Sequence, residues 1–255
     1  MWVKMLEIVT KRFGFKTKTI WFSDTPFDVS GYDGVFFRSC KKDVEIKGFF
    51  KQKHTTLVID LTQDLDEIWE KLKKDSCKRR INRAYKEGIT TTINQSYSEF
   101  TDLVNIFRNA KGLPPYNITI EDMKKNGALF ISELGGEILG GHFFYSDNNN
   151  YRSLMAVSKR LDVTTKGEAS LIGCANRQII WEAIKYAKEC GIKEFDMGGY
   201  YAGDIPDPQK ESINDFKKSF GGALVEKYNY HRSYSILYSL GEYLLNKGVS
   251  FDARE

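Results

Sequence analysis

The densest chemical signal in the chain is the run from Lys71 to Lys86, where eight lysines and arginines stand against one acid, Asp75. Arg79 and Arg83 are four residues apart, so on a helix they share a face. Two guanidinium forks on one face suit a phosphate or a carboxylate, although such a run also serves as a solvated basic helix. A second signal is Glu194-Phe195-Asp196-Met197-Gly198-Gly199-Tyr200. An aspartate closing a strand, followed by two glycines, puts a carboxylate where another backbone or a ligand can come close. Asp196 there holds an amine nucleophile or orients a neighbour, or else caps the following turn. Gly198, Gly199 and Tyr200 are candidate substrate contacts beside it.

Two further stretches carry usable groups. Phe216 and Phe220 are four apart and are expected to pack inward, leaving Lys217 one step from the buried face. A lysine so placed can stabilise charge developing on a carbonyl oxygen during acyl transfer, or it can snorkel to solvent. Phe216 is a candidate wall of the same site. In Glu137–Tyr145, Gly140 and Gly141 inside a strand pattern indicate a bulge or the close approach of a ligand. His142 next to them reads as a general base or as a structural strand histidine.

The elements that must position these groups follow from periodicity. Thr55–Asp60, Gly34–Arg38 and Val44–Lys47 read as strands. Asp64 with Glu67 forms a capping box ahead of an apolar helical face. Further helices are expected over 76–87, 98–111, 120–125, 171–190, 213–220 and 233–246. Strands are expected over 89–93, 128–134, 137–145, 151–157, 193–197 and 223–230. Gly135-Gly136 and Asp147-Asn148-Asn149-Asn150 have turn chemistry, so the middle three strands make an antiparallel meander. The final residues are expected to fray. The order predicts an α/β (α+β) chain with a mixed, mostly antiparallel central sheet flanked by helices.

The 255 residues allow one large domain or two small ones, and 41% hydrophobic content is enough for a packed core. The formal charge of +4 permits an anionic partner without demanding one. No run of about 18 apolar residues exists to span a bilayer, and the start of the chain lacks a signal-peptide pattern, so a cytoplasmic protein is expected. Cys40, Cys77, Cys174 and Cys190 show no paired spacing, and His54, His142 and His231 are scattered. Neither a metal site nor a disulfide is expected.

Taken in order, Val58-Ile59-Asp60-Leu61, Arg79-Arg80-Ile81-Asn82-Arg83-Ala84, Ile138-Leu139-Gly140-Gly141, Phe195-Asp196-Met197-Gly198-Gly199 and Phe216-Lys217-Lys218-Ser219-Phe220-Gly221-Gly222 resemble the Fem aminoacyltransferases, which build peptide bridges on cell-wall precursors. The resemblance covers residues 55 to 230. It implies a GNAT-like acyltransferase fold, in which two central strands splay apart to receive the acyl donor. It divides the chain into a partial N-terminal β-rich lobe, residues 1–60, and a transferase domain, residues 61–255.

By the same resemblance the protein is an enzyme that moves an aminoacyl group from aminoacyl-tRNA to an amine of a peptidoglycan-type envelope precursor. Lys217 and Asp196 would be catalytic. Arg79 and Arg83 would hold phosphates. No cofactor would be tightly bound; tRNA and an envelope precursor or small amine would be the partners, near a membrane surface. The alternative is an N-acyltransferase using acyl-CoA or an acyl-carrier protein on a sugar, amino acid or glycan. After the 151–157 strand, however, Lys166-Gly167-Glu168-Ala169 is a poor pyrophosphate loop. A third reading is a non-catalytic module that binds RNA or another anion.

Overall fold

A computed structural model describes residues 5–116, 118–161 and 163–246. It divides into two compact units, Leu57–Ala223 and a second made of Met1–Thr56 with Leu224–Glu255. The C-terminal segment, expected to belong to the transferase domain, clusters instead with the N-terminal residues. The expected fraying of the last residues falls outside the described ones.

In the first unit, β1 (Leu6–Arg12) and β2 (Phe15–Trp21) pair antiparallel around Phe13 and Gly14, both at positive φ. β2 runs parallel to β3 (Gly34–Cys40), and β3 pairs antiparallel with β10 (Ala223–Ser233). β10 neighbours the start of β4 (Phe50–Asp60). Helix α7 (Ile236–Asn246) follows. Ile20, Val35, Phe37, Cys40, Tyr228 and Tyr230 form the core.

Val44–Lys47 is not a strand, contrary to expectation. The Tyr230 hydroxyl accepts the Val44 amide at 2.9 Å, and Phe49 N donates to Ile46 O in a turn that holds Gly48 at φ +87°. With those donors engaged by a side chain and a turn, no ladder forms. β1 and β2 escaped the sequence reading because charged and threonine side chains dilute the apolar alternation.

The second unit carries the candidate chemistry. Its helices are α1 (Leu65–Lys71), α2 (Arg79–Lys86), α3 (Tyr97–Ala110), α4 (Ile120–Asn126), α5 (Lys166–Glu189) and α6 (Pro208–Lys218). Its remaining strands are β5 (Thr90–Ile93), β6 (Gly127–Leu134), β7 (Glu137–Ser146), β8 (Asn150–Ser158) and β9 (Glu194–Tyr200). The order is β4-β9-β8-β7-β6-β5. β5 through β8 pair antiparallel, while β8 and β9 run parallel.

Local chemistry accounts for most of these elements. Gly135 and Gly136 both take positive φ, the geometry of a two-residue hairpin turn. Asp147 Oδ1 accepts the amides of Asn149 and Asn150 at 2.8 and 2.7 Å and closes the β7–β8 turn. Glu67 accepts the Asp64 amide at 3.2 Å at the start of α1, as the capping box predicts. The basic helix begins earlier than expected, with a π-helical turn over Lys74–Lys78 in which Lys78 N reaches back to Lys73 O. α5 is longer than predicted because Thr165 caps it, accepting the Glu168 amide at 3.2 Å. Its apolar face, with Ile172, Ile179, Ile180, Ala183, Ile184 and Ala187, is buried.

Candidate functional site

β8 and β9 are hydrogen-bonded partners over only three residue pairs, ending at Arg152 opposite Asp196. At that point β8 changes register against β7: Phe143 faces Met155, Phe144 faces Ser153, and Leu154 is the extra residue of a bulge. A bulge bends its strand and raises the local twist. β9 turns as well, since Gly198 sits at φ +82°. Beyond Arg152 and Asp196 the two strands therefore part.

A cavity of about 420 Å³ opens there. Gly141, His142, Ser153, Met197, Phe216 and Lys217 are among its walls. α6 brings Lys217 in from its last turn. The Lys217 ammonium donates to the Gly199 carbonyl and lies 3.7 Å from where a Cβ would stand on Gly198. His142 Nε2 and Ser153 Oγ are 2.7 Å apart. The imidazole is buried at 7% exposure and stacks on Phe144 at 4.2 Å. Burial, with the Lys217 charge adding to it, pushes His142 down to about 3, so at neutral pH it is uncharged and serves to hold the Ser153 hydroxyl by a hydrogen bond. A cation, a neutral imidazole and a hydroxyl thus share one cavity, the set that acyl transfer needs to hold an oxyanion and move a proton.

Asp196 holds a neighbouring side chain and caps the turn that follows it. Its Oδ2 accepts from Arg152 Nη1 at 2.8 Å, its Oδ1 accepts the Gly198 amide at 2.8 Å, and the residue is 1% exposed. With both oxygens occupied inside the sheet, it fixes the point where the strands part and shapes the turn, rather than facing the cavity.

Gly140 is also placed differently from its candidate role. A Cβ there would meet the Val157 carbonyl at 2.8 Å, so the strand it admits is β8 and not a ligand. Gly141 borders the cavity and lets Phe100 and Ile131 approach from behind. Tyr200 lies under the Lys218 ammonium at 5.2 Å. Phe216 packs against Phe220, as the spacing predicts, and is among the cavity walls.

Arg79 and Arg83 border a separate cavity of about 530 Å³ with Arg80, Lys86, Asn82 and Ser170. Both are already paired: Arg79 with Asp75 at 3.3 Å and Arg83 with Glu87 at 3.1 Å, each exposed. Ser153 and Arg177 were missed. Ser153 carries no local signal. Arg177 did carry one, as part of the polar triplet Asn176-Arg177-Gln178 that interrupts an otherwise apolar stretch of the helix.

At the start of α5, Thr165 Oγ1 donates to Glu168 Oε2 at 2.7 Å while accepting the Glu168 amide. A carboxylate and a cap thus occupy the helix end where a pyrophosphate would otherwise bind. Among the described residues no helix is long and apolar enough to cross a membrane.

No family model matches the chain, and no curated protein matches it. Solved structures do. FemX aligns over 93% of this chain and 90% of its own, at 14% identity and a TM-score of 0.61. L-PGS from Bacillus licheniformis aligns over 95% and 85%, at 14% identity and 0.55. The C-terminal DUF2156 domain of a protein assigned as a lysylphosphatidylglycerol synthetase, from Agrobacterium fabrum, aligns over 96% and 84%, at 11% identity and 0.53. The likeness is one of fold, and it agrees with the resemblance read from the sequence: this chain has a GNAT-like fold of the kind adopted by FemX.

Proposed function

We propose that this protein is an acyltransferase that moves an aminoacyl group from aminoacyl-tRNA to an amine of a cell-envelope precursor of the peptidoglycan type. The observation that carries this reading is the Lys217 ammonium, set beside His142 and Ser153 in the cavity where β8 and β9 part. The donor ester is already activated, so the protein has chiefly to align amine and carbonyl and to stabilise the tetrahedral oxyanion.

In this reading the acyl carbonyl enters between the strands and its oxygen turns toward Lys217. The amine nitrogen bonds to the carbonyl carbon, and the carbon–oxygen bond to the tRNA ribose breaks. The proton lost by the amine passes through Ser153 Oγ, which the neutral His142 holds in place by its hydrogen bond, to the departing ribose oxygen. Arg79, Arg83 and their neighbours on α2 face the donor's phosphates. The capped, carboxylate-bearing start of α5 weighs against acyl-CoA as donor.

The test supplies purified protein with a pool of charged tRNAs or a pool of acyl-CoAs, a mixed envelope-precursor extract as acceptor, and an RNase-treated control, read by mass spectrometry. The expected result is an amino-acid mass increment that disappears with RNase. An RNase-resistant acyl increment from the CoA pool would replace this reading with the CoA-dependent one.

A further inference from the structure

We propose that Arg80 and Arg177 form a phosphate-binding site for the acyl donor, one that Arg79 and Arg83 flank without constituting. The proposal rests on the donor reading above and names the contact that would hold it.

Gly173 is the first observation. It lies buried in the middle of α5 without a positive φ, so its backbone needs no glycine, and glycine costs a helix interior about 1 kcal/mol relative to alanine. What the missing side chain provides is room for the Arg80 guanidinium, beside which Arg177 comes within ordinary contact distance. Arg80 Nη1 lies 3.2 Å, and Arg177 Nη1 3.9 Å, from where a Cβ would stand. Two like charges from different helices converge over Gly173.

Compensation is the second. Arg79 and Arg83 each have a carboxylate partner on their own helix or the turn before it. Among the described residues none pairs with Arg80 or Arg177. Asp75 is the acid among the residues bordering the adjoining cavity, and it is engaged by Arg79. Arg177 donates from Nη1 to the Gly173 carbonyl at 2.9 Å, yet its Nε is buried without a hydrogen-bond partner. A buried donor on a charged group is costly to leave unmade. Burial, and after it the charges of Arg80 and Arg160, lowers the Arg177 guanidinium from its usual range. The cluster is strained as a set of cations and is relieved by an anion.

Position is the third. The Arg177 guanidinium lies 4.9 Å over the Phe216 ring, and Phe216 is a wall of the Lys217 cavity. An anion held here is one aromatic ring away from the acyl group. Two forks approaching from different helices match the several oxygens of a phosphate better than the two of a carboxylate. The ligand is therefore the phosphodiester nearest the acyl-bearing end of the donor.

The experiment measures calorimetric binding of the 5′-phosphorylated trinucleotide CpCpA, and of adenosine as the phosphate-free control, to the full chain and to Arg80→Gln, Arg177→Gln and Lys217→Ala. Loss of a charge-assisted contact predicts trinucleotide binding weaker by about tenfold or more in each arginine variant, with a shallower salt dependence and adenosine binding unchanged. Lys217→Ala should retain the trinucleotide. Arg80→Gln, on the outer helix, keeps the test valid if Arg177→Gln disturbs packing against Phe216. Trinucleotide binding that is the same in both arginine variants would overturn the site. Coenzyme A binding with the same arginine dependence, where the trinucleotide does not bind, would keep the phosphate site and remove tRNA as the donor.

Discussion

Arg152 and Asp196 face each other at the last residue pair that joins β8 to β9, and their 2.8 Å ion pair is almost fully withdrawn from solvent. One strand leads from Arg152 into the bulge beside Ser153; the other leads from Asp196 to Gly198 and Gly199. Removing one member leaves a buried charge without its partner, which costs about 3–5 kcal/mol. Asp196→Ala is therefore expected to lose stability on that scale in urea denaturation. Arg152→Met combined with Asp196→Leu should recover much of it, and a double variant no more stable than the single one would refute the buried-charge account.

Lys217→Ala should leave the fold intact, because the side chain sits at the end of α6 and its ammonium donates to the Gly199 carbonyl at the cavity edge. Removal of an oxyanion donor typically lowers kcat by about 10²–10³. Steady-state transfer assays are expected to show that loss with little change in melting temperature. Unaltered turnover would remove Lys217 from the reaction.

Ser153→Ala tests the proton route. It deletes the hydroxyl 2.7 Å from His142 Nε2 without enlarging the strand. If the amine proton passes this way, kcat should fall by about a hundredfold or more, with the donor KM nearly constant. A change in KM alone would make Ser153 a binding residue.

His142 also sets a pH dependence of stability. Its folded value is depressed from 6.5 to about 3, first by burial and then by Lys217. Between those values the unfolded chain holds a proton on this residue that the folded protein does not. Its contribution to stability is thus fully present above 6.5 and drains as pH falls toward 3, by up to about 1.4 kcal/mol per pH unit. Chemical denaturation across that window should give a shallower slope for His142→Gln than for the unmodified protein.

Gly222→Ala should destabilise by about 1–3 kcal/mol. The position has φ +85°, and a Cβ would stand 2.6 Å from the Val58 carbonyl and 2.8 Å from Leu57 Cδ2. The strain is in backbone and core together, so a compensating surface change should not rescue it.

What the sequence by itself determined is the local part of this protein. Apolar spacing on α3 and α5, the glycine turn between β6 and β7, and the Asp147 turn are all written within a few residues, because helix faces, caps and tight turns are short-range physics. The motif around Lys217 was legible for the same reason: Phe216 and Phe220 define the buried face and the lysine lies beside it. Tertiary structure alone decided which of these groups meet. Ser153 lies on a strand eleven residues from His142, and the bulge at Leu154 places it in the cavity. Arg80 and Arg177 are nearly a hundred residues apart and converge over Gly173 only in the folded chain. Asp196 looked open to a ligand until its partner across the sheet, Arg152, was known. Strand register and helix packing are set by contacts distant in sequence, so periodicity could name the candidate groups while only the folded chain could bring them together.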